Sequence, residues 1–189
     1  PEWFIESCKK ISYLFPRAHA VAYVMMAFRI AWFKVYHPLA FYAAYFSIRA
    51  KAFDLRIMTG DLNTQLKEFN RIKALDRGAS PKEKDLMSAL EVSMEMYQRG
   101  YRFINVDIQH SGARRFSIKD GALLPPFLAI DSLGETVADA IVEERDTKPF
   151  TSLKDLQRRC KVSATIIETM KELKCCGDLP EDEQMSLFG

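Results

Sequence analysis

Glycine is missing from the first 59 residues, and only Pro1, Pro16 and Pro38 interrupt them. That excludes a turn-rich β structure there and predicts helices: one to about Leu14, one from Pro16 to Tyr36, one from Pro38 to about Leu55. Pro16 and Pro38 suit a helix's first turn, where a missing N–H costs nothing. Charge imbalance is missing as well. With 27 basic against 25 acidic residues the net charge is +2, so composition implies no partner and a basic surface must come from local clustering. Cysteine is scarce. Cys8, Cys160, Cys175 and Cys176 show no paired metal spacing, and the adjacent last two are poorly placed to chelate one ion or bridge each other. Reduced thiols in a cytoplasmic protein are the expectation. No basic start leads into an apolar run and a small-residue cleavage site, so no signal peptide is read. Arg29 and Lys34 interrupt the aromatic-rich region 18–48, whose longest charge-free run, Val35 to Ile48, has 14 residues and contains His37-Pro38. A membrane span needs about 20 apolar residues, so this region is expected to be a buried helical core with no membrane partner. An initiator methionine is lacking too, and the chain is read as a fragment of a longer protein.

What is present suits a soluble globular chain of one or two domains, since 189 residues at 48% hydrophobic content suffice to bury a core. Val21, Val24, Met25, Phe28 and Trp32 recur at helical spacing and are expected inside. Residues 59–80 read as a helix with a solvated, mixed-charge face. Ser80-Pro81-Lys82-Glu83 is a helix start with a capping box, followed by a stripe of Leu86, Leu90, Met94 and Tyr97 and a stop at Gly100. The methionines here are core fillers. Beyond Gly100 the period changes to two: Ile104, Val106 and Ile108 predict a strand, and Arg115 to Leu124 a hairpin turning at Asp120-Gly121. His110, Arg114 and Arg115 lie beside the first loop, where a phosphate contact and an ordinary solvated loop both stay open.

Pro125-Pro126 opens a different unit. Residues 130–141 read as a helix, a tight turn at Ser132-Leu133-Gly134, and a second helix from Glu135, with Ala138 small enough for close helix approach and Ile141 facing the core. The free N–H groups at such a helix start form a ready anion site. The stretch resembles the helix-hairpin-helix motif, apolar-x-Gly-apolar-Gly-x-x-x-Ala-x-x-apolar, with Ser132 where the first glycine usually stands. The resemblance implies a grip on duplex DNA phosphates by Ser132, Leu133, Gly134, Glu135 and Thr136 that reads no bases; an ordinary helical corner is the alternative. Thr151-Ser152 and Ser163 cap two further short helices, the last running from Ala164 to Lys174 and ending near Gly177. Arg158, Arg159 and Lys161 are candidates for added phosphate contacts or a solvated end.

Arg17, His19 and Tyr23 gather at the start of the second helix, with His19 and Tyr23 four apart on one face. They suit either a triphosphate with Tyr23 stacking on the nucleotide, or a capped core helix with a hydrogen-bonded histidine. The run Phe15-Pro16-Arg17-Ala18-His19-Ala20-Val21-Ala22-Tyr23, then Lys34 to Ala44 and Tyr45 to Ala50, resembles the fingers of bacterial replicative DNA polymerase alpha subunits, most closely the PolC type of Gram-positive bacteria, over essentially the whole chain. The tail Asp178 to Glu183 carries acids and a proline and is expected to be mobile. Gln184, Met185, Ser186, Leu187 and Phe188 then resemble the pentapeptide by which clients of the bacterial sliding clamp (beta subunit) dock in its apolar pocket.

The expected architecture is mainly α. It runs from a fingers segment (1–58) through a helical connector with a small β-hairpin (59–125) and a duplex-binding helix-hairpin-helix unit (126–177) to a flexible clamp-binding tail (178–189). The first ~58 residues are expected to pack poorly alone. The resemblance implies a DNA-directed DNA polymerase whose Mg2+ ions align primer hydroxyl and incoming dNTP. The aspartates holding Mg2+ belong to an upstream palm; Asp54, Asp61, Asp76 and Asp85 stand in helical contexts without that motif, so this chain should bind and not catalyse. The alternatives are the other bacterial alpha-subunit type, which usually carries an OB-fold after this region, and a stand-alone helix-hairpin-helix module.

Overall fold

The computed structural model describes residues 1–11 and 16–182. The expected helix end at Leu14, Phe15 of the fingers-like run, and the whole pentapeptide 184–188 lie outside the described residues. The chain divides into two compact units, Pro1–Phe41 and Tyr42–Gly189.

The first unit holds α1 (Glu2–Lys9) and α2 (Arg17–Tyr36), the latter starting behind Pro16 as its proline requires. Neither helix buries a residue. The expected inward stripe of Val21, Val24, Met25, Phe28 and Trp32 is 49–73% exposed, which corrects the reading of a buried core helix. Met26, Ile30, Phe33 and Val35 lie between those positions and are exposed as well. The helix is therefore apolar on all sides, and one stripe selected by periodicity has no special claim to the inside. By length and composition alone α2 meets the requirement for a membrane span, with mean hydropathy 1.2 over its best window. Arg29 would then sit within hydrocarbon at a cost of roughly 2.5–3.5 kcal/mol.

The next helix, α3 (Pro38–Ala44), runs into one π-helical turn, Tyr45–Arg49. It ends there and not near Leu55. Asp54 instead caps a new short helix, α4 (Leu55–Met58), by accepting from the Ile57 N–H at 2.9 Å. Asp61 does the same for α5 (Leu62–Ala74) through Thr64 at 2.7 Å. The expected capping box opens α6 (Pro81–Gln98): Ser80 Oγ accepts from Glu83 N–H and the Glu83 carboxylate accepts from Ser80 N–H. Leu86 and Leu90 are buried as expected, but Ala89, Ser93 and Met96 complete the stripe, while Met94 and Tyr97 are half-buried. Ser93 is inside because its hydroxyl donates to Gln65 Oε1 at 2.6 Å, and Gln65 Nε2 donates to the Met58 carbonyl at 3.1 Å. The polar pair satisfies itself within the helix interface.

Residues 104–108 do not form the expected strand. Phe103 makes an isolated parallel bridge to Leu123, the Ile104 N–H donates to the Leu123 carbonyl and the Ile108 N–H to the Cys175 carbonyl. The segment satisfies its backbone against two different neighbours, so no continuous ladder forms. The alternation still sorts Val106 and Ile108 inward. The hairpin is as expected: β1 (Ser117–Lys119) pairs antiparallel with β2 (Ala122–Leu124) through Asp120 and Gly121, both with positive φ.

A single 3-10 turn, Phe127–Ala129, precedes α7 (Glu135–Thr147), α8 (Leu153–Cys160) and α9 (Ala164–Glu172). The helix expected before Ser132 is only this turn. Phe127, Ile130, Leu133, Ala138, Ile141, Leu156, Val162 and Met170 belong to one buried cluster that closes the three helices together. All four cysteines are free thiols.

Segment Asp178–Asp182, the described part of the expected flexible tail, meets the folded body at its root. The Leu153 N–H donates to the Pro180 carbonyl at 2.9 Å and the Lys154 N–H to that of Glu181 at 3.2 Å. Lys171 pairs with Glu181, Lys154 with Asp182, and Leu179 packs against the core. The segment takes up the N–H groups at the start of α8 and is fastened there.

Candidate nucleic-acid interface

The start of α7, expected as an anion site, lacks a side-chain cap. Ser132, not Gly134, adopts the left-handed conformation, with φ 65. Gly134 has an ordinary φ of −77, and a Cβ built on it would meet nothing within 4 Å, so neither conformation nor close approach demands glycine there. Leu133 turns inward and is buried, with its N–H donating to the Ile130 carbonyl. Gly134 is the N-cap and brings no side-chain acceptor, unlike Asp54, Asp61, Ser80, Ser152 and Ser163 at the other capped helices of this unit. Among the described residues, the N–H groups of Glu135, Thr136 and Val137 have no protein acceptor. Ser132, Gly134, Glu135 and Thr136 are exposed, so these donors face solvent at the positive end of the helix.

The same geometry recurs between α8 and α9. Lys161 is left-handed at φ 54, Val162 is buried, and Ser163 caps α9 with φ −69 and ψ 153, close to the −77 and 159 of Gly134. Four and seven residues beyond each cap lie buried apolar side chains, Ala138 and Ile141 in α7, Ile167 and Met170 in α9. Sequence reasoning missed this second hairpin because Lys161-Val162-Ser163 holds no glycine, although the four-and-seven spacing after the cap was available as a signal.

Two arginines turn out to be structural. Arg159 donates to the Glu144 carboxylate and the Lys148 carbonyl, pairs with Asp155 at 3.2 Å, and lies 4.7 Å over the Phe150 ring. It ties α7 to α8, so its donors are largely taken up within the fold. The two arginines beside Asp155 hold its carboxyl below the usual carboxylate range against the opposing effect of burial, with the Thr151 N–H assisting. Arg145 donates to the Ile108 and Ser111 carbonyls and fastens the end of α7 to the loop before the hairpin. Lys161 stays exposed beside the second turn.

A helix-hairpin-helix motif profile matches residues 100–185, which include both turns. Over its entire length the chain is 50% identical to a protein named DNA polymerase III PolC-type from Caldanaerobacter subterraneus subsp. tengcongensis, and 47% identical to one of that name from Streptococcus pyogenes serotype M12. The chain belongs to the PolC-type DNA polymerase III family. It spans 13% of the length of either relative.

Within this piece of a PolC-type chain, the residues noted at the start of α2 come together in part. The His19 and Tyr23 rings meet edge to face at 4.6 Å, and Tyr23 is exposed, as is Arg17. His110, Asp107 and Lys119 form a triangle: Lys119 Nζ lies 2.8 Å from both Asp107 Oδ2 and His110 Nδ1, and His110 Nδ1 is 2.7 Å from Asp107. Lys119, the Gln109 N–H and His110 lower the Asp107 carboxyl's pKa although burial opposes them. Arg115 is exposed, and Arg114 is committed to two carboxylates of α7. For a catalytic metal the residues do not fit. Among the described residues no three His, Cys, Asp or Glu side chains stand close enough to share an ion. Asp54 and Asp61, two of the four aspartates considered, are spent on helix caps.

Proposed function

We propose that this chain is the duplex-gripping, nucleotide-side and clamp-tethering part of a cytoplasmic replicative DNA polymerase. Residues 126–177 hold primer-template duplex without reading sequence, residues 1–58 complete the fingers, and residues 184–188 dock on the sliding clamp. The whole enzyme joins dNTPs to a primer with Mg2+ held by residues upstream of this piece. The observation that carries the reading is the exposed start of α7, whose amides lack a side-chain cap, inside the stretch matched by the helix-hairpin-helix profile. The positive end of a helix and a row of unpaired N–H donors suit a phosphate and are blind to the base attached to it. The second turn at Lys161-Val162-Ser163 repeats the backbone shape, but Ser163 Oγ already accepts from the Ile166 N–H, so fewer donors are open there. Neutral amides supply most of the grip, so affinity should fall with salt on a shallow log–log slope, roughly −1 to −2.

Gly134→Trp tests this, because a Cβ there meets nothing within 4 Å and the backbone angles suit any residue. Melting temperature should hold. Duplex affinity measured by fluorescence anisotropy should fall about tenfold, some 1.4 kcal/mol, and equally on unrelated sequences. Loss confined to one sequence would mean base readout, and no loss would remove the hairpin from the interface.

Arg17, His19 and Tyr23 are assigned to the incoming nucleotide, with Arg17 and His19 near the triphosphate and Tyr23 against the nucleoside. In the whole enzyme Arg17→Ala should raise the apparent KM for dNTPs roughly tenfold, the value of one charge-assisted hydrogen bond. Normal steady-state kinetics with a lowered melting temperature would instead make this an ordinary helix start.

A further inference from the structure

An acid stands in the first position of α7, at the very end where a phosphate should bind. Glu135 opens the helix, and Asp139 follows one turn later on the same side. Carboxylates there favour the helix itself, since they face its positive end, and for that reason they compete with any other anion. Both are held by one residue of another segment. Arg114 donates through Nη1 to Glu135 Oε2, through Nε to Asp139 Oδ1 at 3.0 Å, and through Nη2 to Asp139 Oδ2. The guanidinium lowers the Asp139 carboxyl's pKa and is itself raised by it.

The arginine sits on a fixed segment. The Gly112 carbonyl accepts from the Phe127 N–H at 2.9 Å and the Ala113 carbonyl from the Leu128 N–H at 3.0 Å, which binds this loop segment to the turn that opens the hairpin. Two residues on, the Phe116 N–H donates to Ser47 Oγ at 2.9 Å. Arg114 is thus carried by the same piece of backbone that positions the phosphate site.

We infer that Arg114 is a positioning residue for DNA binding: it draws the Glu135 and Asp139 carboxylates aside from the α7 amides and cancels one of their two charges, leaving the helix end open to a phosphate. This rests on the reading of the hairpin as a phosphate grip. Released, two carboxylates some 6 Å from a bound phosphate would weaken binding roughly tenfold even at the dielectric constant of water.

The test is a coupling measurement on the full chain with a fluorescein-labelled duplex, melting temperature being followed in parallel. Arg114→Gln should weaken binding roughly tenfold. In the background Glu135→Gln plus Asp139→Asn the same change should have little effect, because nothing is left to hold aside. An arginine that itself touches phosphate would cost the same in both backgrounds, and that outcome overturns the inference, as does an Arg114→Gln variant that binds like wild type. Should Arg114→Gln unfold the chain, Arg114→Lys serves: it keeps net charge but cannot fork to two carboxylates, and should bind about threefold more weakly, unchanged affinity again overturning the inference. Gly134→Trp run alongside separates the two levels. If it binds normally, the hairpin reading fails; if it binds weakly while Arg114 changes do nothing, only the role of Arg114 fails.

Discussion

Changing Leu187 and Phe188 together to alanine is expected to remove nearly all affinity of this chain for a purified bacterial sliding clamp. The segment Gln184-Met185-Ser186-Leu187-Phe188 offers one polar and two adjacent apolar anchors, and a peptide of that size should bind at micromolar strength, about −8 kcal/mol. Two fully buried side chains at roughly 1.5–3 kcal/mol each account for 3–6 kcal/mol of it. Their loss therefore weakens binding by about 10²–10⁴-fold, beyond an ordinary titration. The fold adds a control. The acidic root of the tail is fastened at the start of α8 and beside α9 through Pro180, Glu181 and Asp182. The Lys161-Val162-Ser163 turn follows the other end of α8, about 12 Å away for a helix of eight residues. Duplex affinity of the doubly changed chain should accordingly match wild type. Equal clamp affinity before and after the change would make these residues an ordinary chain end.

Features set within four or five residues were the most legible in the sequence. Ser80, Ser152 and Ser163 cap where they were expected to, because an N-cap needs only its own side chain and an N–H three residues on. Asp120-Gly121 turns the hairpin for an equally local reason. Misreadings arose where a distant partner decides the outcome. Val106 and Ile108 are buried in alternation, yet the carbonyls that their segment meets belong to Leu123 and Cys175, and no ladder results. Ser93 is inside on account of Gln65, 28 residues away. In α2 the pattern was ambiguous by nature, since a helix apolar all round has no preferred inner face. At the hairpin the motif was legible and its mechanics were not: the left-handed residue is Ser132, and the glycine matters as a cap without an acceptor.

Given magnesium, primed template and all four dNTPs, this chain alone is expected to incorporate nothing. Phosphoryl transfer by two metal ions needs carboxylates held a few ångströms apart, so that the ions they bind, about 3.5–4 Å from each other, clamp attacking and leaving oxygens in line. The acids here are disposed otherwise. Asp54 and Asp61 accept from the N–H groups of their own helices. Asp107 is spent on Lys119 and His110, Asp139 on Arg114, and Asp155 on Arg158 and Arg159. Each of these carboxylates is neutralised by a cation or fixed to a helix start, and among the described residues no third acid approaches any pair. To recruit an ion, Asp155 would have to give up its two arginines within a nearly buried site, a change costing roughly 3–5 kcal/mol before any metal is bound. Primer-extension gels with the chain in large excess over primer provide the measurement. Template-directed extension above the no-protein control would require a metal centre within these 189 residues and would displace the reading of the chain as the part of the polymerase that holds DNA.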